Sequence, residues 1–354
     1  MTTNYDRILN KILELKPKKY SKNRNYIDGS VSRLSPYISR GVISTKQIFT
    51  YLYKNYKFYE CEKFIQELLW REYWQIVWNH KNIDTEVKTS QADVLNKKFP
   101  SCILNAQTGI NAIDSAIRDL YEFGYIHNHL RMYIASITTN IAKTHWKIPA
   151  KWMYYHLLDA DWASNALSWQ WVCGANSNKK YFANQDNINK YTKTVQKNSF
   201  LDVSYERLVN ISQPKIFLKT TNLILENSFP ISNLCVDKNK PICVYNYYNI
   251  DPTWRQEISA NRVLLIEPSI FNKYPISNKN MSFFLKLAEN IENIKIYVGE
   301  FSDLLKFNCT IYFKEHPLNN YTGTEDQRDT ISINKEYQSS FFKFWKKNKN
   351  EIAF

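Results

Sequence analysis

The stretch from Tyr121 to Trp171 constrains the fold more than any other part of the chain. It places amide, guanidinium and carboxylate side chains among Trp, Tyr and Met, in segments that are otherwise apolar enough to form a core. Each buried polar group costs free energy unless it finds a hydrogen-bonding partner. A polar, planar ligand held between helices would supply such partners. The stretch therefore predicts a ligand site inside a helical core.

Length and charge set the outer limits. A chain of 354 residues, 44% of them hydrophobic, is long enough for two domains with a substantial core. The net charge is +14, and residues 1–195 carry most of it, with 27 Lys and Arg against 16 Asp and Glu. Such an excess is typical of proteins that bind a polyanion, most often nucleic acid. A merely lysine-rich, soluble surface is the equally weighted alternative.

The six cysteines predict reduced thiols in an intracellular, cytoplasmic protein. They are widely spaced, with no CxxC motif and no metal-ligand pattern, so no metal site is expected. The N-terminus has no apolar signal core, and no window reaches the length of a membrane span. The sequence thus predicts a soluble protein without a membrane partner, and a monomer.

Residues 1–198 are predicted to be a mainly helical domain. Long amphipathic windows at 60–79, 110–122 and 127–145 indicate helices. Ser35 before Pro36 predicts an N-cap followed by proline at the first helical position, and Gly41 closes that short turn. Ser44 with Gln47 fits a capping box. The polar 172–198 region is expected to be a surface loop that ends the helical part.

Residues 199–354 change character and predict a small α/β domain of open role. Apolar runs at 242–248, 262–267, 294–301 and 309–313 read as strands, with a helical window at 282–294. Strands that alternate with a helix favour a mostly parallel sheet. This part contains no G-x-G-x-x-G motif and no P-loop, which argues against a phosphate-cradling loop.

Two helical windows and the segment after them carry the candidate chemistry. Glu67, Trp70 and Arg71 recur at helical spacing in 60–79, either as a functional face or as an exposed ion pair beside packed aromatics. Asn128, Arg131 and Met132 share a face of 127–145, which suits a flat ligand or a polar core contact. The acidic and amide residues of the segment after these windows are Asp159, Asp161 and Asn165. These could cap a helix starting near residue 161 or grip polar groups of a cofactor.

The order of these pieces resembles the FAD-binding helical domain of the DNA photolyase/cryptochrome family. The matching pieces are SRLSPYISRGVIS (32–44), QELLWREYW (66–74), TGINAIDSAIRDL (108–120), GYIHNHLRMYIAS (124–136) and DADWASNALSWQW (159–171). They occur in the family's order and cover roughly residues 20–195. The closest resemblance is to short members in which the helical domain begins near the N-terminus, without an antenna domain before it. Residues 262–290 and 296–305 faintly resemble that α/β antenna domain.

The resemblance implies FAD as the cofactor and assigns residues to it. Those residues are Tyr20, Ser32, Arg33, Leu34, Ser35, Arg71, Asn128, Arg131, Asp159, Asp161 and Asn165. The 32–35 loop matches the diphosphate site, where the free amides of a helix start would attract phosphate. Asn165 matches the side chain that faces flavin N5, and asparagine there is the photolyase-like choice.

The resemblance also implies a cavity for a cyclobutane pyrimidine dimer in single- or double-stranded DNA. Its matching positions are Glu67, Trp70, Asn128, His129, Met132 and Trp171. Tryptophan rings supply π-faces for flipped-out bases, and Met132 adapts its shape to the dimer. Glu67 can hydrogen-bond the pyrimidine carbonyls and stabilise charge during catalysis.

Trp169 and Trp146 match the inner two members of the family's tryptophan chain, which photoreduces the flavin. No third member is evident near 90–105, which contains no tryptophan, and tyrosines or Trp152 are the alternatives. Other departures are His129 in place of a common arginine, Tyr125 in place of tryptophan and Ala160 in place of glycine.

The predicted function is that of a deoxyribodipyrimidine photo-lyase, a light-driven carbon–carbon lyase that repairs dimers with an electron from reduced FAD. Asn165, Met132 and the pair of Glu67 and Trp70 favour it. A cryptochrome-like blue-light photosensor is the alternative, favoured by His129 and the unusual C-terminal part. A flavin-free nucleic-acid-binding protein is a third possibility, which the many matching flavin positions disfavour.

Overall fold

The computed structural model describes all 354 residues and contains two compact units. The first combines residues 1–18, 32–79 and 226–354, and the second combines residues 19–31 and 80–225. This division differs from the boundary predicted at 198/199, because early helical segments group with the C-terminal sheet. None of the helices combines the length and the apolar character that crossing a bilayer requires.

Helices dominate residues 1–198, as predicted, and one more helix follows before residue 225. They are α1 (Tyr5–Leu13), α2 (Pro17–Asn23), α3 (Ser35–Ser39), α4 (Thr45–Asn55), α5 (Phe58–His80), α6 (Ser101–Leu104), α7 (Asn111–Phe123), α8 (Asn128–Ser136), α9 (Lys147–His156), α10 (Trp162–Val172), α11 (Gln185–Thr192) and α12 (Tyr205–Val209). Two short strands, β1 (Phe99–Pro100) and β2 (Thr220–Thr221), pair antiparallel in the second unit. A 3₁₀ turn at Lys215–Phe217 precedes β2.

Capping chemistry places the start of α4 where the sequence predicts it. The Ser44 side chain accepts from the Gln47 amide, and the Gln47 side chain accepts from the Ser44 amide. Gly41 lies in the left-handed region at φ +66°, where a Cβ would come within 2.6 Å of the Tyr248 carbonyl oxygen. The predicted capping box and the turn at Gly41 are therefore confirmed.

The cap at Ser35 is wrong by one residue. Leu34 occupies the cap position, Ser35 is the first residue of α3, and no side chain caps the helix. With only five residues, α3 has few aligned peptide dipoles to attract a phosphate. A phosphate at this helix start would therefore gain little from the helix dipole.

The single helix predicted at 127–145 is also wrong, because α8 stops at Ser136 and a π-helical turn follows at Ile137–Ile141. The hydroxyls of Thr138 and Thr139 donate to the carbonyls four residues earlier, at 2.6 and 2.7 Å. Such back-bonding competes with the regular ladder and loosens it. The predicted 172–198 loop likewise contains α11, which begins at an Asn184 cap.

The predicted parallel sheet is confirmed in the first unit. Its strands are β3 (Ile242–Tyr245), β4 (Asn261–Ile266), β5 (Lys295–Val298), β6 (Ile311–Lys314) and β7 (Thr324–Asp326), in the order β5-β4-β3-β6-β7. All four strand pairs are parallel. The connecting helices are α13 (Pro268–Lys273), α14 (Asn278–Ala288) and α15 (Phe301–Leu304). A 3₁₀ turn follows α15 at Leu305–Phe307.

Apolar side chains of the sheet and of α15 pack together in a hydrophobic core. The buried residues of this core are Ile242, Val244, Val263, Leu265, Phe301, Leu304, Ile311 and Phe313. Every residue of β3 is buried, as expected of a central strand with both faces covered. The chain then ends in α16 (Phe341–Ile352), a helix that the sequence reading missed.

Glu72 ties α5 to the segment that leads into α16. Its carboxylate is 6% exposed and accepts from the amides of Ile331 and Ser332, each at 2.8 Å, and from the Thr45 hydroxyl. Each of these donors is otherwise buried, so the carboxylate is their required partner.

Replacing Glu72 by alanine should therefore destabilise the protein by about 3 kcal/mol or more, since buried donors lose their acceptor. Chemical denaturation measures this change in the free energy of unfolding. The exposed Glu351 provides the control, and Glu351→Ala should change stability by less than about 0.5 kcal/mol. A loss below about 1 kcal/mol for Glu72→Ala would contradict the assigned role.

His316 should make stability depend on pH. The ring stacks on Tyr248 at 4.1 Å and accepts the Leu318 amide at Nδ1. Burial, followed by the charges of Arg328 and Arg40, holds the pKa of His316 well below its ordinary value of 6.5. Below pH 6.5 the unfolded chain takes up a proton that the folded chain refuses, so stability falls as pH decreases.

Between pH 8 and pH 5, His316→Asn should lose about 1–2 kcal/mol less stability than the unchanged protein, because asparagine keeps an acceptor and does not titrate. Denaturant titrations at both pH values give these losses. His80→Asn, at an exposed histidine, is the control and should keep the original pH dependence. Equal pH dependence in His316→Asn and the unchanged protein would rule out His316 as the titrating group.

Candidate functional site

In the second unit, α8 contributes the guanidinium of a buried ion pair. Arg131 Nη2 lies 3.0 Å from Asp159 Oδ2, and its Nε donates to the Ile126 carbonyl at 3.0 Å. The Asp159 side chain is only 3% exposed, whereas that of Arg131 is 20% exposed. The pair joins two of the residues predicted to contact FAD and leaves the guanidinium partly accessible.

Asp161 begins α10, as one of the two predicted readings has it. Its carboxylate accepts from the Ser164 amide at 2.7 Å while the residue is 4% exposed. One turn later, the Asn165 amide nitrogen donates to the Ala150 carbonyl of α9 at 2.7 Å. This bond fixes the half-buried Asn165 amide in one orientation.

The predicted face of α8 brings Asn128 and Met132 together. Asn128 is exposed, and its Nδ2 lies 3.9 Å from Met132 Sδ. His127 caps the helix by accepting the His129 amide at Nδ1, at 3.1 Å. An accessible amide beside a thioether is suited to a polar ligand with apolar edges.

The His129 ring is held inside the second unit. It stacks on Tyr133 at 4.5 Å, lies 4.7 Å from Tyr191, and Nδ1 is 2.8 Å from the Asn25 carbonyl, to which it must donate. Burial lowers the pKa of His129 despite the bond to Asn25, and the charge of Arg24 lowers it further. A neutral ring so engaged does not replace the positive charge of the arginine common in the family.

The two predicted electron-transfer tryptophans, Trp169 and Trp146, are both buried. Trp146 Nε1 donates to Glu86 at 3.0 Å, and the same carboxylate oxygen lies 2.8 Å from His145 Nε2. Burial alone would raise the pKa of Glu86, but hydrogen bonds, including those from Trp146 and His145, hold it below the ordinary value. The Trp162 ring lies 6.5 Å from that of Trp146. Trp162 was not among the predicted electron-transfer residues, because its spacing in the sequence does not set it apart.

The remaining predicted residues of the second unit lie nearer the surface. Trp171 is 38% exposed, and its ring lies 5.9 Å from that of Tyr181. Tyr20 lies on α2 and is half-buried. An exposed tryptophan is a plausible stacking platform for a base.

In the first unit, the 32–35 loop presents hydroxyls and a charged side chain. Arg33 is exposed and adopts a left-handed backbone at φ +52°. The buried Leu34 donates its amide to the Ser32 hydroxyl at 3.3 Å, and Ser35 is half-buried. An exposed guanidinium beside hydroxyl groups can bind a phosphate.

Helix α5 carries three more predicted residues of the first unit. Glu67 pairs with Lys63 at 3.0 Å, with both side chains about one-third exposed. Arg71 Nη1 donates to the Ser39 hydroxyl of α3 at 2.9 Å. Trp70 stacks on Phe341 with ring centroids 3.7 Å apart and planes at 12°. One face of Trp70 is thus occupied by α16, a contact that sequence reasoning missed because Phe341 is 271 positions away.

Part of the chain is similar to known proteins. Residues 64–216 match the family model described as the FAD binding domain of DNA photolyase. A deoxyribodipyrimidine photo-lyase of Buchnera aphidicola subsp. Baizongia pistaciae is 29% identical over 264 residues, which cover 65% of this chain and 52% of that protein. Cryptochrome-1 of Sinapis alba is 27% identical over 190 residues, or 49% of this chain and 38% of the relative.

A crystal structure of an archaeal photolyase from Sulfolobus tokodaii has a TM-score of 0.46 at 21% identity, covering 53% of this chain and 44% of that one. The chain spans about half the length of the first of these relatives and less of the second. The predicted FAD-binding domain is confirmed for residues 64–216. Residues 64–216 are therefore similar to the FAD-binding domain of the DNA photolyase family.

Proposed function

We propose that the protein binds FAD and uses blue light to split cyclobutane pyrimidine dimers in DNA. The observation that carries the proposal is the Arg131–Asp159 ion pair, which lies, like the fixed Asn165 amide, within the residues matched as FAD-binding. The Arg131 side chain remains 20% exposed and Asn165 is half-buried, so both keep polar atoms that a ligand can reach. Photolyases among the relatives support the reaction class.

In this proposal, the cofactor is held by the residues assigned from the family resemblance. Arg131 and Asp159 would place their charged groups next to the flavin part of FAD. Asp161 caps the start of α10. Asn165 presents an amide held by Ala150, and Tyr20 and Arg71 contribute further contacts. Arg33, with the hydroxyls of Ser32 and Ser35 and the backbone of Leu34, serves the diphosphate. When bound, reduced FAD supplies the electron that opens the dimer and takes it back.

The dimer is proposed to contact Glu67, Trp70, Asn128, Met132 and Trp171. Trp171 is exposed, and Trp70 keeps one ring face away from Phe341. Each ring stacked on a base contributes about 1–3 kcal/mol. Flipping a dimer is cheaper than flipping an intact pair because the damaged bases are poorly stacked. The net charge of +14 favours DNA as the partner.

A photosensory, cryptochrome-like function is the second candidate. The neutral, internally bonded His129 removes one positive contact that repair enzymes of the family commonly have. A plant cryptochrome is also among the relatives. The α/β part, with its five parallel strands, keeps its predicted resemblance to an antenna domain, and its role stays a prediction.

Repair of a synthetic oligonucleotide separates the two functions. Prereduced protein under blue light should restore the bases of a thymine dimer in single- or double-stranded DNA, measured by chromatography. No repair of either substrate would favour the photosensory function.

Glu67→Ala should lower the repair rate at least tenfold, roughly the lower limit for losing a group that stabilises transition-state charge. The flavin absorption should be unchanged, because Glu67 is assigned to the dimer. Glu60 lies on the same helix and pairs with Lys18, so Glu60→Ala is a matched control expected to repair normally. Equal rates for the two variants would exclude Glu67 from the reaction.

Trp169→Phe should abolish photoreduction of oxidised flavin while leaving repair by prereduced protein intact. Phenylalanine fills most of the buried space but is far harder to oxidise than an indole. Bleaching of the flavin absorbance under blue light, with an external thiol present, measures the rate. Trp254→Phe, in the α/β part, is the control and should bleach normally. Undiminished bleaching in Trp169→Phe would mean that electrons reach the flavin by another route.

A further inference from the structure

Helix α16 has two sharply different faces. Phe341, Phe344, Trp345 and Asn348 are buried against the first unit. The outward face carries Phe342, which is 66% exposed, and the exposed lysines Lys343, Lys346 and Lys347. These four outward residues, at positions i, i+1, i+4 and i+5, form one basic stripe with an aromatic ring at its end.

The inner face fixes α16 along α5. Besides the stack of Phe341 on Trp70, the Tyr73 hydroxyl donates to the Gln338 carbonyl at 2.9 Å, and Lys349 pairs with Glu62 at 2.6 Å. The Phe342 ring lies 6.4 Å from that of Trp70 in an edge-on arrangement. The exposed ring is therefore continuous with the aromatic cluster that includes Trp70.

Charge selects the partner of this stripe. Lys347 is paired with Glu336 at the surface, whereas no carboxylate lies within salt-bridge distance of Lys343 or Lys346. Two unpaired ammonium groups one turn apart, next to an exposed ring, match the alternation of phosphates and bases along a single strand. A helix that lies in a membrane surface presents a broad apolar face, and here the outward face has one apolar residue.

We propose that the stripe of Phe342, Lys343, Lys346 and Lys347 is a binding surface for single-stranded nucleic acid. Lys343 and Lys346 contact phosphates, and Phe342 stacks on an unpaired base that flanks the one held near Trp70. The proposal rests on the proposed function for placing the dimer at Trp70. Binding of undamaged strand to the stripe requires neither light nor repair.

Fluorescence anisotropy with a labelled, undamaged oligothymidylate, in the dark, tests the surface. Lys343→Glu with Lys346→Glu should weaken binding at least tenfold and reduce the slope of log affinity against log salt by about 1.4, from two lost phosphate contacts. Lys286→Glu with Lys295→Glu makes the same charge change at exposed lysines of α14 and β5, and should have a much smaller effect. Unchanged melting temperatures would show that both double variants fold.

The ring has a separate test. Phe342→Leu should weaken binding about fivefold or more, and Phe342→Trp should restore it, because an indole stacks on a base and a leucine does not. If the two double variants weakened oligonucleotide binding equally, the effect would come from net charge and not from the stripe. That result would overturn the proposal. Tighter binding after charge reversal, or binding to phosphatidylserine vesicles in place of the oligonucleotide, would overturn it as well. Loss of repair with retained stripe-dependent binding would instead refute only the proposed function.

Discussion

The ion pair between Arg131 and Asp159 is the contact on which the polar core of the second unit depends. The two charged atoms are 3.0 Å apart, and the carboxylate is almost fully buried. Losing Arg131 would leave the Asp159 carboxylate buried without its cation, at a cost of about 3–5 kcal/mol. The pair holds α8 against the turn before α10, and that turn sets the direction of Asp161 and Asn165. The guanidinium of the pair stays 20% exposed, and the Asn165 amide is held in one orientation by Ala150.

In the first unit, α5 contacts both the 331–332 segment and α16. Its Glu72 binds the backbone of the 331–332 segment, and its Trp70 stacks on Phe341 of α16. The C-terminal segment thus contributes to the surroundings of a residue that the family resemblance assigns to the substrate. The lysines and the exposed Phe342 ring of α16 add positive charge and an aromatic side chain near Trp70. None of these residues belongs to a motif of the family.

Local patterns predicted much of this structure. The capping box at Ser44, the shared face of Asn128 and Met132, and the cap at Asp161 depend on contacts within a few residues, which spacing encodes directly. The parallel strands were also predicted, because buried strands read as continuous apolar runs. The family resemblance, carried by five short pieces in order, supplied the cofactor and the candidate site.

Distant contacts could not be predicted. The sequence around Trp70 does not indicate that its ring stacks on Phe341. The sequence around Trp146 likewise does not indicate a hydrogen bond to Glu86, 60 positions earlier. The π-helical turn was missed because threonine back-bonding is a small local preference that tertiary packing decides. The same holds for the first compact unit, which joins segments separated by more than a hundred residues.

The flavin content of the purified protein tests the central claim most directly. The polar cluster around Arg131, Asp159 and Asn165 predicts a yellow protein that releases FAD on denaturation, at one molecule per chain after reconstitution. A folded protein that stays colourless and takes up no FAD when the cofactor is supplied would contradict that claim.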